Sequence, residues 1–205
     1  MSKLFLCHRV NSLEQLASLE KSWGVEIDLR SNVNLKGSLH LSHDPWTLGD
    51  DFESWLEEFK RQGIQGPIWL NTKEDGLEER IEALLKKYGI ESYCFLDTML
   101  PTLVKQTQFQ QKRHFAVRFS AYEPQSFAEC FKGKADWVWV DCFQGRPVSP
   151  ELVKELKKDF KVCLVSPELH GHPLRENLIR FFALYELSDA VCSKEPQVWR
   201  DFRAV

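Results

Sequence analysis

The chain has 205 residues, of which 43% are hydrophobic and 28% are charged, and its formal net charge is -3. These values are typical of one globular domain with a substantial core, so we expect a single domain over residues 1–205. The net negative charge argues against general nucleic-acid binding. The N-terminal residues do not resemble a signal peptide and no apolar segment reaches membrane-spanning length. We therefore expect a cytoplasmic protein, and its oligomeric state stays open.

Apolar strand-like runs alternate with helical patterns along the whole chain. The strand-like runs cover residues 3–7, 24–29, 67–73, 93–96, 115–117, 137–140, 161–165 and 189–192. A helix follows each run. The first helix is predicted to begin at Ser12 and to end near Trp23 and Gly24, and the second to begin at Asp50 and Asp51 and to end at Gly63 or Gly66. Turn residues over 31–37 precede the alternating segment Leu39 to His43, which predicts that His43 returns over the second strand.

Eight strand-helix units predict a compact α/β fold, the TIM or (β/α)8 barrel, although the chain is short for that fold. A doubly wound open sheet is the alternative, but no glycine-rich phosphate turn follows the first strand. Each strand carries polar residues only at its carboxyl end, where barrel active sites lie. The residues predicted to line that end of the barrel are His8, Glu26, Asp28, Asn71, Lys73, Asp97, Arg118, Asp141, Glu168 and Lys194.

The second strand places two carboxylates, Glu26 and Asp28, on one face, because side chains alternate along a strand. Two buried like charges repel and lose hydration, and a divalent cation offsets both costs. Oxygen ligands favour Mg²⁺ or Ca²⁺, and no cysteine or histidine cluster has the spacing that zinc prefers. The alternative is an edge strand whose polar face is solvated.

Two histidines lie near this pair in sequence, His8 upstream and His43 downstream. Near neutral pH one imidazole can accept a proton while another donates one, as cleavage of a phosphodiester by an internal hydroxyl requires. Arg9 and Lys73 are candidates to hold the phosphate. Taken singly, a histidine such as His43 is more often a surface residue than a catalyst.

The succession His8-Arg9, Glu26-Ile27-Asp28, His43-Asp44 and Lys73 resembles the glycerophosphodiester phosphodiesterases, members of the phosphatidylinositol-phospholipase-C-like superfamily. The resemblance in motif covers the first third of the chain. It implies a metal-dependent barrel enzyme that acts on a small-molecule phosphodiester. In this comparison His8 and His43 are the acid/base pair, Arg9 and Lys73 are phosphate ligands, and Glu26 and Asp28 are metal ligands. Asp97, Arg118, Asp141, Glu168 and Lys194 are weaker candidates for substrate binding.

Three features depart from that family pattern. Val10 replaces the glycine that usually follows His-Arg, and Asn71 replaces an acidic residue two positions before the lysine. Asn71 can still ligate a cation through its carbonyl oxygen. The small inserted domain of the family is absent, since only residues 46–66 separate the His43 turn from the third strand. The head group of the substrate, the choice between a cyclic and a hydrolysed product, and the choice between Mg²⁺ and Ca²⁺ stay open.

Two functions are compatible with these residues. The first is phosphodiester cleavage in which a substrate hydroxyl attacks phosphorus with the help of the two histidines, through a cyclic phosphate. The alternative is a non-catalytic barrel that binds a phosphorylated or polar ligand, and the missing carboxylate at Asn71 is its main support.

Overall fold

A computed structural model describes residues 3–32 and 37–202, which form two compact units. One unit contains residues 8–104 and the other contains residues 3–7 and 105–202, within the described ranges. The strands are β1 (Leu4–Cys7), β2 (Gly24–Ser31), β3 (Leu39–Leu41), β4 (Ile68–Thr72), β5 (Tyr93–Leu96), β6 (Ala116–Phe119), β7 (Trp137–Val140), β8 (Lys161–Val165) and β9 (Ala190–Ser193).

The helices alternate with these strands. They are α1 (Leu13–Ala17), α2 (Phe52–Gln62), α3 (Glu78–Lys87), α4 (Leu100–Val104), α5 (Gln125–Glu129), α6 (Pro150–Leu156), α7 (Leu174–Leu187) and α8 (Pro196–Asp201). A π-helical segment, Lys105–Phe109, follows α4, and a 3-10 helix, Pro167–His170, precedes α7. The eight predicted strand-helix units are therefore all present.

In the unit of residues 8–104, β2 pairs in parallel with β4, and β4 pairs in parallel with β5. The register places Asp28 opposite Asn71, so the polar carboxyl ends of β2 and β4 are neighbours. The alternate side chains of β2, Val25, Ile27 and Leu29, are completely buried in the core. Burial on both faces is typical of a parallel strand covered by helices.

Helix α2 covers this sheet with an apolar face. Phe52, Trp55, Leu56 and Phe59 recur at helical spacing, and all four are buried, as the sequence predicted. Asp51 caps the helix by accepting a hydrogen bond from the Ser54 amide at 2.9 Å. Gly63 ends the helix in the left-handed conformation, with φ of 68°.

In the unit of residues 3–7 and 105–202, five strands pair in parallel in the order β1, β9, β8, β7, β6. Their apolar side chains form a second core with Phe181 of α7 and Trp199 of α8, both completely buried. Long uninterrupted apolar runs, such as Val162 to Val165, are the signature of such a sheet.

Two predicted boundaries differ from the structure. Helix α1 ends at Ala17 and not near Gly24, because the Ser18 hydroxyl bonds to the carbonyl oxygen of Gln15 and ends the helix. Strand β3 ends at Leu41, so His43 lies in a turn after the strand. Residues 33–36 of the predicted turn lie outside the described residues.

No helix within residues 3–32 and 37–202 is both long enough and apolar enough to span a membrane. The assignment of residues 1–205 to a single domain, the absence of nucleic-acid binding and the cytoplasmic location remain predictions.

Candidate active site

The carboxylates of Glu26 and Asp28 are buried, with exposed fractions of 1% and 0%. This burial excludes the alternative of an edge strand with a solvated polar face. Burial, followed by the charge of Asp28, raises the pKa of Glu26 to about 7. The two carboxylates therefore form a site in which a second negative charge is costly.

Asp28 is surrounded by donors. Its Oδ1 lies 2.9 Å from Lys73 Nζ, and its Oδ2 accepts a hydrogen bond of 2.7 Å from Asn11 Nδ2. Asn11 also accepts the Asp28 amide at 2.9 Å, and Arg9 Nε lies 3.7 Å from Asp28 Oδ2. Two cationic side chains and one amide therefore surround this carboxyl group.

His8 and Arg9 directly follow β1 and contact Glu26. His8 Nε2 lies 3.6 Å from Glu26 Oε2, and the Arg9 amide donates to the same oxygen at 3.0 Å. Arg9 adopts φ of 56°, which costs a non-glycine residue conformational energy. Such conformations are concentrated at functional sites, where the surrounding contacts hold them.

Val10, at the position where the family has glycine, continues this turn into the core. It is 2% exposed, its amide donates to the Glu26 carbonyl oxygen at 3.0 Å, and its own carbonyl oxygen accepts from Trp55 Nε1 at 3.1 Å. The valine side chain at position 10, where the family pattern has glycine, is therefore packed in the core of this unit, beside the His8-Arg9 turn.

Asn71, at the carboxyl end of β4, completes the polar cluster. Its Nδ2 donates to Glu26 Oε1 at 3.2 Å, and its Oδ1 is buried without a hydrogen-bond partner among the described residues. Within residues 3–32 and 37–202, no three acidic, histidine or cysteine side chains are grouped as a metal site requires. A cation at this place would therefore depend on two carboxylates and one amide oxygen.

The backbone next to His43 lies beside β2, because β3 runs antiparallel to β2 and the Ser42 amide donates to the Asp28 carbonyl oxygen at 3.1 Å. His43 Nδ1 lies 2.7 Å from Asp44 Oδ1, and this hydrogen bond is the main reason that the pKa of Asp44 is lowered. The predicted return of His43 over the second strand is confirmed.

The weaker candidates are placed less uniformly. Asp97 is exposed at the end of β5, with φ of 57°. In the unit of residues 3–7 and 105–202, Arg118 forms an ion pair with the buried Asp141. Glu168 accepts hydrogen bonds from the hydroxyls of Ser166 and Ser193, and from the Lys194 amide at 3.0 Å. Lys194 thus contributes its backbone to this contact.

Three further residues have contacts that sequence reasoning missed. Asn11 holds Asp28, Arg30 Nη2 donates to the His43 carbonyl oxygen at 3.0 Å, and His170 Nε2 lies 2.8 Å from Asp141 Oδ1. Polar residues directly after a strand were a signal for Asn11, whereas nothing in the sequence pairs His170 with Asp141.

Comparison with solved structures identifies the fold. A protein from Galdieria sulphuraria that is assigned as a glycerophosphodiester phosphodiesterase aligns with a TM-score of 0.76 at 17% identity, over 98% of each chain. An Oleispira antarctica phosphodiesterase, solved in complex with the product sn-glycerol-3-phosphate, aligns with a TM-score of 0.68 at 16% identity, over 96% of this chain and 95% of the other.

A glycerophosphodiester phosphodiesterase from Parabacteroides distasonis aligns with a TM-score of 0.69 at 12% identity, over 97% of this chain and 95% of the other. No protein-family model matches the chain, and no curated protein matches it significantly. At these identities the likeness concerns the fold. The chain has the fold of the glycerophosphodiester phosphodiesterases, a TIM (β/α)8 barrel, as its sequence predicted.

Proposed function

We propose that the protein is a metal-dependent phosphodiesterase that cleaves a small-molecule phosphodiester with His8 and His43 as the acid/base pair. The observation that carries this proposal is the convergence of His8, Arg9, Glu26, Asp28 and Lys73 within a few ångströms at the carboxyl ends of neighbouring strands. The fold shared with glycerophosphodiester phosphodiesterases supports the same class of reaction.

The donor set fits a hard divalent cation. Glu26 and Asp28 supply two buried carboxylates, and Asn71 supplies a buried carbonyl oxygen that accepts no hydrogen bond from the described residues. The raised pKa of Glu26 indicates that the ionised pair needs an additional positive charge. Mg²⁺ or Ca²⁺, held by these three oxygens, would polarise the phosphoryl group as a Lewis acid.

Arg9 and Lys73 are the cations that would bind the phosphate. Both lie against Asp28, at 3.7 and 2.9 Å, and both keep part of their side chains exposed. Asp28 therefore fixes their positions, and the substrate anion would share their charge. Asp97, Arg118, Asp141, Glu168 and Lys194 are proposed more weakly as substrate-binding residues.

The proposed reaction transfers two protons. One imidazole takes the proton of a substrate hydroxyl while its oxygen forms a bond to phosphorus. The other imidazole gives a proton to the leaving oxygen as its bond to phosphorus breaks. The product of this step is a cyclic phosphate and a free alcohol. Water then opens the ring if the reaction continues to hydrolysis.

The roles of the histidines are tested with two glycerol phosphodiesters, one with a p-nitrophenyl and one with an ethyl leaving group, with and without Mg²⁺ or Ca²⁺. Replacement of either histidine by alanine should lower the rate with the ethyl diester about 10²-fold or more. Nitrophenolate leaves without a proton, so the variant that lacks the general acid should lose much less with the p-nitrophenyl diester.

His114→Ala and His172→Ala are the matched controls, because these side chains lie in the other unit and have no proposed role. Calorimetric titration of Glu26→Ala and Asp28→Ala with both cations tests the metal site, and unchanged affinity would exclude it. Equal losses of activity in all four histidine variants would refute the acid/base assignment.

A non-catalytic ligand-binding barrel is the second candidate. Asn71 in place of a carboxylate, together with the ion pair of Lys73 with Asp28, reduces the negative charge available to a cation. Binding of glycerol phosphate without turnover of any diester would favour this function.

A further inference from the structure

The segment Pro45–Leu48, called here the apolar loop, directly follows His43 and Asp44. Its Trp46 is 96% exposed and its Leu48 is 60% exposed. Two neighbouring large apolar side chains that stay mostly exposed are not explained by core packing.

The apolar loop is anchored at both ends. The Thr47 carbonyl oxygen lies 3.1 Å from His40 Nε2, and the Ser42 hydroxyl donates to the Asp44 carbonyl oxygen at 2.9 Å. Gly49 lies so close to the sheet that a Cβ there would be 1.7 Å from the Leu41 carbonyl oxygen. The exposed side chains are therefore presented from a fixed backbone.

The backbone of Trp46 itself is strained. Its φ is 67°, a conformation that is rare for a bulky residue and costs about 1 kcal/mol or more. Glycine would adopt it freely. At 96% exposure the indole ring gains almost no burial against the described residues, so packing offsets little of this cost.

A cavity of about 430 Å³ lies beside the apolar loop. Pro45, Trp46 and Leu48 line one part of it, and Arg30, His40 and Glu74 line another. Its volume lies within the range of small-molecule sites, which are mostly apolar with a few placed polar groups. Arg30 also donates to the His43 carbonyl oxygen at 3.0 Å, so one residue of the cavity lining contacts the backbone of a proposed catalytic residue.

The size of the apolar surface distinguishes between possible occupants. A tryptophan side chain buries about 150–250 Å², whereas a stable protein interface needs about 800 Å² from each partner. Trp46 and Leu48 together are therefore too small for a protein interface, but they match the apolar chain of a single small molecule.

We propose that the apolar loop and this cavity form a specificity subsite for an apolar substituent of the phosphodiester, so that the preferred substrates carry an alkyl or acyl chain. This inference rests on the proposed function, because a phosphodiester bound at His43 would have its substituent next to the apolar loop. Arg30 and His40 would contact the polar part of that substituent, and Trp46 and Leu48 its chain.

Alkyl phosphate monoesters test the subsite without turnover. In calorimetric titrations we expect the parent protein to bind octyl phosphate at least about tenfold more tightly than methyl phosphate, since each buried methylene contributes favourably. Trp46→Gly, which suits the left-handed backbone, and Leu48→Ser should each abolish most of this preference for octyl phosphate over methyl phosphate.

Ile179→Ala is the control for a general loss of surface hydrophobicity, because Ile179 is 66% exposed on α7 in the other unit. It should keep the parent ratio. In the kinetic arm, kcat/KM is compared for glycerophosphate methyl and octyl esters, and the octyl-to-methyl ratio should fall in the two loop variants.

A parent protein with equal affinity for the two monoesters would overturn the subsite, as would loop variants that keep its ratio. If the parent protein bound octyl and methyl phosphate equally, but bound phosphatidylcholine vesicles and lost this binding in Trp46→Gly, the loop would contact a membrane surface instead. Absence of turnover with every diester would refute the proposed function, while the monoester ratio would still decide this inference.

Discussion

Asn71 determines how much negative charge the candidate site carries. Its amide donates to Glu26 Oε1 at 3.2 Å and leaves its own carbonyl oxygen buried. A carboxylate at this position would face Glu26, whose pKa is already raised by burial and by Asp28. The amide therefore removes one repulsion and donates one hydrogen bond in the same place.

Replacing Asn71 by Asp or Glu should raise the affinity for Mg²⁺ without raising turnover. A third carboxylate attracts the cation more strongly, but it also reduces the effective charge of Lys73 toward the phosphate. Titration calorimetry and kcat/KM measured on the same preparations test both expectations.

Asn11→Asp is the matched control. It adds the same negative charge next to Asp28, but at a position outside the proposed ligands Glu26, Asp28 and Asn71. A variant at Asn71 that binds Mg²⁺ no better than the parent would place this residue outside the coordination shell.

The carboxyl ends of β6 and β7 are joined by an ion pair between Arg118 and Asp141. Asp141 is 1% exposed and also binds His170 of the 3-10 helix at 2.8 Å. Burial and the charge of Arg118 lower the pKa of His170, which favours its neutral form. One carboxylate thus ties three elements together.

Asp141→Ala should destabilise the protein by about 3 kcal/mol, because it removes the buried carboxylate that binds both Arg118 and His170 and leaves Arg118 only the more exposed Glu123, at 3.5 Å. The double variant Arg118→Met with Asp141→Leu should recover much of this loss, since an apolar pair often replaces a buried ion pair at little cost. Urea unfolding of the parent and of both variants measures the effect.

Arg113→Ala serves as the comparison, because the Arg113–Asp136 pair is more exposed and should contribute less than 1 kcal/mol. If Asp141→Ala were no more harmful than Arg113→Ala, the contact between β6, β7 and the 3-10 helix would not be structural.

The elements explain which parts of the site the sequence could predict. Glu26 and Asp28 follow from strand alternation, and Lys73 and Asn71 follow from the end of the next strand, so their proximity was predictable. Contacts made by turn residues were not predictable, because the turn conformation decides them. Asn11 reaches Asp28 from the segment after β1, and Trp46 is exposed in a turn with φ of 67°, and no periodic pattern encodes either feature.

At the scale of the whole chain, the alternation of apolar strands with helical segments was sufficient to predict the barrel. The lengths of short elements were harder to predict. Helix α1 has five residues and is followed by the capping residue Ser18. Only Leu16 of the helix is buried, so its apolar pattern is too weak to predict where the helix ends. Strongly periodic helices such as α2 were predicted nearly to the residue.

The pH dependence of the stability of the whole chain should report the buried acidic pair. The pKa of Glu26 is about 7 in the folded protein and ordinarily 4.5. Between these values the folded state holds a proton that the unfolded state has released. In EDTA the free energy of unfolding should therefore decrease as pH rises from about 4.5 to about 7, by on the order of 3 kcal/mol at most.

Glu26→Gln isolates this effect from the histidines, because glutamine resembles the protonated acid and does not titrate. Urea unfolding of both proteins across this pH range should show the parent losing stability relative to the variant as pH rises. Saturating Mg²⁺ should restore the parent at pH 7 and leave the variant nearly unchanged, since the ionised carboxylate is what the cation binds. Parallel pH profiles in EDTA would mean that Glu26 stays ionised throughout, and the need for a cation at this pair would then lose its physical basis.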